Sequence, residues 1–253
     1  MGLRPATRAR LGRYWADRLG CDPAALSGDG VHVVALEAGP RGDVQVMVRP
    51  NAVVVATPPD RAGAIRGRAE ALRGDPPGDP TAVAARLGLD IDTDTDADTT
   101  TALGPQFIGY ADDRTLAPVH DPNDDGIRPL RPRDARALAA LRAATPAAEW
   151  RDRVGGFAIG AHDGLLGRFQ DGELVAVAAY GADDAVAGLA VLTHPAHRGA
   201  GHGSVAVSAA AARTLEEGLV PEYRLNEDWT ASRSLAAGLG FRRYATRFVF
   251  VLD

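Results

Sequence analysis

Ala190-Val191-Leu192-Thr193-His194-Pro195-Ala196-His197-Arg198-Gly199-Ala200-Gly201-His202-Gly203 is the stretch whose reading decides the fold. An apolar run that ends at Thr193 reads as a strand, and the alanine-rich segment from Gly201 to Gly218 reads as a helix. The glycines between them form a tight turn that delivers the chain to a helix N-terminus. There, successive backbone N–H groups lack partners inside the helix, and the helix end carries partial positive charge. Such a turn binds phosphate oxygens. It lacks the Gly-Lys-Ser/Thr ending of a nucleoside-triphosphate loop, and the chain contains no lysine. Its spacing, Arg-x-x-Gly-x-Gly, also differs from the dinucleotide fingerprint Gly-x-Gly-x-x-Gly, so triphosphate hydrolysis and dinucleotide binding both lose ground.

Around this turn the second half of the chain alternates strands and helices. Ile127 to Leu130 reads as a strand and Arg133 to Ala144 as a helix. Leu165 to Gln170 and Leu174 to Tyr180 form a hairpin across Asp171-Gly172, and Val186 to Thr193 is a further strand. After the helix come a strand at Glu222 to Leu225, a helix at Thr230 to Leu239 and a closing strand at Arg243 to Leu252. The fold class is α/β, a mixed sheet flanked by helices.

The first half reads as a smaller α/β unit. Leu11, Trp15 and Leu19 recur on one face of a helix over Arg8 to Leu19. Val31 to Leu36, Val44 to Val48 and Ala52 to Ala56 read as three strands in a meander. Helices follow from Pro58-Pro59-Asp60 through Leu72 and from Thr81 to Leu87. Asp90 to Thr101, nearly all Asp and Thr, reads as an exposed loop. A short strand spans Gln106 to Tyr110. The turn formers of Asp121-Pro122-Asn123-Asp124-Asp125-Gly126 place a boundary there, with domains at 1–122 and 126–253. Nothing in the first half shows convergent acid, base or nucleophile residues, which makes it a scaffold or lid domain.

Composition narrows the partners. The chain has 253 residues, a net charge of −5 and 28 basic residues, all arginine. A chain built to neutralise many nucleic-acid phosphates is basic, so nucleic-acid binding is not expected. No apolar run approaches the roughly 20 residues that cross a bilayer, so no membrane partner is expected. A single cysteine, Cys21, forms no intramolecular disulfide and no cysteine-built zinc site, and this favours a cytoplasmic location.

The stretch from Thr193 to Gly203 resembles motif A of the GCN5-related N-acetyltransferase (GNAT) family, whose hallmark is Gln/Arg-x-x-Gly-x-Gly/Ala after a central strand. Ala231-Ser232-Arg233-Ser234-Leu235-Ala236-Ala237-Gly238-Leu239-Gly240-Phe241 is similar to its motif B helix, which commonly ends Leu-Gly-Phe. The resemblance covers Gly126 to Asp253, and the first half is read as a degenerate copy of the same fold or as an unrelated scaffold. It implies a transferase that uses acetyl-CoA as cosubstrate and acetylates a primary amine of a small molecule or peptide by direct attack. The diphosphate would lie on Arg198, Gly199, Ala200, Gly201, His202, Gly203 and Ser204. Val191, Leu192 and Thr193 would pair with the pantetheine arm like an added strand, and Asn226 and Trp229 would flank it. Glycine at 201 and 203 would let backbone approach the phosphates. A homodimer is a state that the resemblance allows.

The catalytic side departs from the family. The tyrosine that the family uses to protonate the leaving thiolate corresponds here to Ala236, so Ser232, Tyr244 or water must stand in. His194 is a candidate relay for the amine proton, and Glu149 is either a base on the acceptor wall or a solvated helix charge. Each cofactor candidate also has a plain structural role: Trp229 as core packing, Asn226 as a turn cap, Arg198 in a salt bridge. His194, His197 and His202 share one loop with no carboxylate nearby in sequence, so no metal is expected. The rival function is a catalytically silent acyl-CoA-binding or regulatory module.

Overall fold

The protein is described from a computed structural model that defines residues 2–36, 44–74, 77–90, 102–119, 126–152 and 162–251. The expected acidic loop lies outside the described residues from 91 onward, as does most of the expected domain boundary, 120–125. In chain order the helices are α1 (Pro5–Leu19), α2 (Pro23–Ser27), α3 (Pro59–Ala69), α4 (Pro80–Leu87), α5 (Ala135–Ala144), α6 (Ala147–Asp152), α7 (His202–Glu216) and α8 (Thr230–Gly238). The strands are β1 (Gly30–Ala35), β2 (Val44–Val48), β3 (Ala52–Thr57), β4 (Ala102–Tyr110), β5 (Ile127–Pro129), β6 (Gly164–Gln170), β7 (Glu173–Asp183), β8 (Val186–Thr193), β9 (Val220–Asn226) and β10 (Arg242–Phe250). Among the described residues, no helix is long and apolar enough to cross a membrane.

The chain forms two compact units that interleave in sequence. One comprises Met1–Thr7, Tyr110–Tyr223 and Ala231–Arg242, and the other Arg8–Gly109, Arg224–Thr230 and Arg243–Asp253. In the second unit the strand order is β1-β3-β2-β10-β4. The expected meander is therefore not formed. β3 lies between β1 and β2, parallel to β1 from Gly30↔Ala52 and antiparallel to β2 from Gln45↔Ala56. The closing strand β10 pairs with β2, from Thr246↔Val48 to Phe250↔Val44, so the last strand of the sequence belongs with the first-half strands. Alternation explains the packing: Val44, Val46, Val53, Val55, Phe248 and Phe250 present one face to Ile65 and Leu72 and to Val83 and Leu87 of α4. Asp79 caps α4 by accepting from the Ala82 amide at 2.9 Å, and Gly88 ends it with φ of 67°.

The first unit carries the strand order β9-β8-β7-β6-β5. β8 and β9 are parallel from Val186↔Val220 to Leu189↔Tyr223, and the remaining pairs are antiparallel. The expected hairpin turn holds both central residues at positive φ, 50° at Asp171 and 83° at Gly172, which matches the twist of its flanking strands. Leu138 and Leu141 of α5 pack on Val177, Ala179, Ala190 and Leu192. With alternation, Leu192 thus faces α5, while Val191 and Thr193 face the other side of the sheet.

The start of α5 is fixed by Asp134, whose carboxylate accepts two bonds from the Arg128 guanidinium, both at 2.8 Å, and one from the Arg131 amide at 2.8 Å. Arg128 and then the Arg131 amide hold that carboxyl well below the usual carboxylate range. At the far end of α8, Gly240 turns the chain with φ of 83°. A Cβ there would stand 1.9 Å from the Thr115 carbonyl oxygen, and Leu239 and Phe241 on either side are buried. The Leu-Gly-Phe ending is thus a packing device: its glycine permits backbone contact and its two apolar residues enter the core.

Candidate active site

An open cleft of about 560 Å³ lies in the first unit where the end of β8, the glycine turn, the start of α7 and the first turns of α8 converge. Val191, Leu192 and Thr193 supply its strand side, and Arg198, Gly199, Gly201, His202, Gly203 and Ser204 its turn and helix side. Ala231, Ser232, Ser234 and Leu235 close it from α8, and Glu149 reaches it from α6. Ala200 belongs to the turn and is exposed but does not line the cleft.

The turn takes backbone conformations that glycine alone adopts readily. Gly199 and Gly201 take φ of 81° and 85°, values that L side chains rarely adopt, and a Cβ on either would meet nothing within 4 Å. Gly201 is the N-cap of α7 and provides no side-chain cap, so the first amides of that helix, at His202, Gly203 and Ser204, have no intrahelical carbonyl to bond. Gly203 is glycine for a different reason from the one expected. A Cβ there would point inward, 2.8 Å from the Thr193 hydroxyl and 3.7 Å from Val191 and Leu235. Its bareness brings α7 close to β8 and α8, and the open approach to the amides belongs to positions 199 and 201.

Arg198 bridges the turn to its surroundings. Its Nη2 donates to Glu149 Oε2 at 2.7 Å, its Nη1 to Oε1 at 3.5 Å, and its Nε to the Thr193 carbonyl at 3.4 Å. Glu149, partly exposed on its helix, is therefore an engaged carboxylate. It is joined to the arginine of the glycine turn.

The histidines divide. His202 opens α7 and lines the cleft; burial, with the nearby charges of Arg168 and His197, pushes its imidazole below the ordinary value. His197 also lines the cleft, a position that sequence reasoning left unassigned. His194 does not line it: its Nδ1 accepts from the Ala196 amide at 3.2 Å, and its Nε2 lies 3.8 Å from Glu173 Oε1. His197 Nε2 is 3.4 Å from Glu173 Oε2. The carboxylate that sequence proximity failed to supply thus comes from β7, and the ligand atoms of Glu173, His194 and His197 lie within 4.8 Å of one another.

Ser232 lines the cleft from α8 and is mostly buried. Ala236, at the position of the family tyrosine, is buried and carries no acid. Tyr244 lines a different cleft, in the second unit, with the Arg49 guanidinium stacked 3.7 Å over its ring; burial pushes its hydroxyl pKa up. Asn226 ends β9 and accepts from the Trp229 amide at 3.0 Å, and both residues belong to the second unit. Neither lines the cleft of the first unit.

Residues 131–241 match the acetyltransferase (GNAT) family model. The chain carries a GNAT acetyltransferase domain. The GNAT region spans α5 through the Leu-Gly-Phe ending and contains the whole cleft. No curated protein matches the chain. Among solved structures, it is similar to a GNAT-family acetyltransferase from Novosphingobium aromaticivorans DSM 12444, at 23% identity over 61% of this chain and 68% of that one, with a TM-score of 0.48. A GCN5-related N-acetyltransferase from Kribbella flavida gives 20% identity over 60% of each chain and a TM-score of 0.44. A GNAT-family acetyltransferase from Brucella melitensis, in complex with acetyl-CoA, gives 24% identity over 50% of this chain and 88% of that one, with a TM-score of 0.37.

Proposed function

We propose that the GNAT domain transfers an acetyl group from acetyl-CoA to a primary amine of a small molecule or peptide. The observation that carries this reading is the uncapped start of α7, open in front of Gly199 and Gly201 and lining one cleft with Val191 to Thr193 and Ser232. These residues fit a diphosphate ester with an extended arm. The amides of His202, Gly203 and Ser204 and the Arg198 guanidinium meet the diphosphate charge, and the end of β8 lies along the arm.

Acetyl-CoA supplies an activated thioester: the amine lone pair forms the new C–N bond, the C–S bond breaks, and the thiolate leaves as the thiol after taking a proton. The chain's own contribution is placement of the two reactants and handling of two protons. Glu149 is the cleft carboxylate able to accept the proton of the incoming ammonium once it is released from Arg198. His194, turned toward Glu173 and the Ala196 amide, is not placed to do so. Ser232, one helical turn before Ala236 and lining the cleft, is the candidate donor to the leaving sulfur, with water as its substitute.

Incubation of the protein with acetyl-CoA and a panel of amines, followed by detection of free thiol, tests the reading. Amine-dependent thiol release supports it, and absence of coenzyme A binding at millimolar concentration overturns it. One observation favours a second reading. Ala236 removes the usual acid, so a domain that binds acyl-CoA without turnover is the alternative, and it predicts calorimetric binding with no thiol release on any amine.

A further inference from the structure

Glu173, His194 and His197 converge beside the cleft without hydrogen-bonding one another. His194 Nε2 lies 3.8 Å from Glu173 Oε1, and His197 Nε2 lies 3.4 Å from Glu173 Oε2. Both separations exceed the roughly 2.7–3.2 Å of a hydrogen bond. The backbone sets this convergence. Glu173 opens β7, Ala176 of that strand pairs with Thr193 of β8, and the His194 amide donates to the Val175 carbonyl at 2.9 Å. The chain therefore leaves β8 beside the start of β7. Pro195–His197 then makes one 3₁₀ turn, closed by the His197 amide on the His194 carbonyl at 2.9 Å. Side chains three residues apart on such a turn eclipse, which sets the two imidazoles on one side with ring centroids 5.3 Å apart.

We propose that Glu173, His194 and His197 bind a divalent transition-metal ion of the zinc class, through the two imidazole rings and one carboxylate oxygen. Around a tetrahedral zinc ion with bonds of about 2.0–2.2 Å, ligand atoms stand roughly 3.3–3.5 Å apart. The three ligand atoms here all lie within 4.8 Å of one another, so each closes on an ion by moving about 1 Å or less. Two imidazoles suit zinc, nickel or copper, whereas magnesium and calcium take oxygen donors, and the carboxylate offsets part of the ion's charge. Glu173 is 54% exposed, which leaves room for water to complete the coordination. The sequence pointed away from a metal because no carboxylate adjoins the histidines, and the fold brings Glu173 to them from β7. His197 also lines the cleft and Arg198 follows it, so the ion fixes the segment that leads into the glycine turn. Ligation by His194 Nε2 puts that ring's proton on Nδ1. The Ala196 amide, which donates to Nδ1 at 3.2 Å, then loses its acceptor, an exposed hydrogen bond of little net worth.

Zinc chloride titrated calorimetrically into the tag-free full chain, without coenzyme A, tests the site independently of the acetyl-transfer reading. The unaltered protein is expected to bind one zinc ion with a dissociation constant of about 10 µM or tighter, and to give no binding heat with magnesium chloride. Glu173→Gln and His197→Gln, each checked for folding by circular dichroism, are expected to weaken zinc binding at least about tenfold. In amide spectra of the isotopically labelled protein, the Ala196 signal is expected to shift with zinc, and to stay in place at the same zinc concentration in Glu173→Gln. Absence of zinc binding up to about 0.1 mM overturns the inference. Binding that survives both substitutions overturns it as well, because the ion then sits at other residues. Binding that is lost in His197→Gln but kept in Glu173→Gln also overturns it, because the carboxylate is then no ligand.

Discussion

Placing a carboxylate at residue 201 puts a negative charge where the account places a diphosphate, with little other disturbance. Gly201 is exposed, caps α7 with φ of 85°, and has open space where a Cβ would go. Asp and Asn tolerate this left-handed region better than other residues and have nearly the same shape, so Gly201→Asn carries the same backbone strain as Gly201→Asp without the charge. At about 5 Å, with an effective dielectric constant between about 40 and 80, a carboxylate repels each diphosphate charge by roughly 0.8–1.7 kcal/mol. Two such charges give about 1.7–3.3 kcal/mol, a loss of roughly 15- to 300-fold in coenzyme A affinity for Asp relative to Asn. Calorimetric titration at low salt measures the difference, and raising the salt narrows it because the site is open to solvent. Equal affinities for the two variants would refute the placement of the diphosphate at this turn.

Three further outcomes follow from the packing. Gly240→Ala sets a Cβ 1.9 Å from the Thr115 carbonyl oxygen at positive φ, so it should lower stability by about 3 kcal/mol or more, read as a drop in thermal midpoint. Gly203→Val forces α7 away from Thr193, Val191 and Leu235 and should lower stability by about 1–3 kcal/mol together with coenzyme A affinity, whereas a loss of affinity at unchanged stability would contradict the packing role. Asp134 has its carboxyl pKa depressed by Arg128 and the Arg131 amide, so its stabilisation is complete above the unfolded value of about 3.9 and is lost as pH falls through the lower folded one. The thermal-midpoint difference between the unaltered protein and Asp134→Asn should stay constant from about pH 5 to 8 and shrink below about pH 4. A difference that shrinks near neutral pH would point to another group.

The local signals in the sequence were strong wherever one element decides its own shape. Val44–Val48 and Val186–Thr193 form strands with the boundaries that their apolar runs suggest, and Asp171-Gly172 makes the expected hairpin turn. Strand order was not legible, because pairing is decided between elements: nothing local in Ala52–Thr57 says that it separates β1 from β2, or that β10 joins β2. Helices α2 and α6 are too short, at 5 and 6 residues, for a periodic signal to set their bounds, and the partner that Glu149 meets from α6 has no local signal at all. The turn at Arg198 to Ser204 was visible because glycine spacing and a helix start coincide in one stretch. The partners of its side chains were not. Glu149 and Glu173 come from distant segments, and only folding brings them to Arg198 and to the histidines.

Backbone amide chemical shifts, recorded as coenzyme A is added to the isotopically labelled protein, test the placement of the diphosphate most directly. The amides of Gly199 through Ser204 should shift first and furthest, with those of Val191 to Thr193 following along the arm. Saturable binding that leaves the amides of His202, Gly203 and Ser204 unmoved would contradict the account, because these donors are its physical basis.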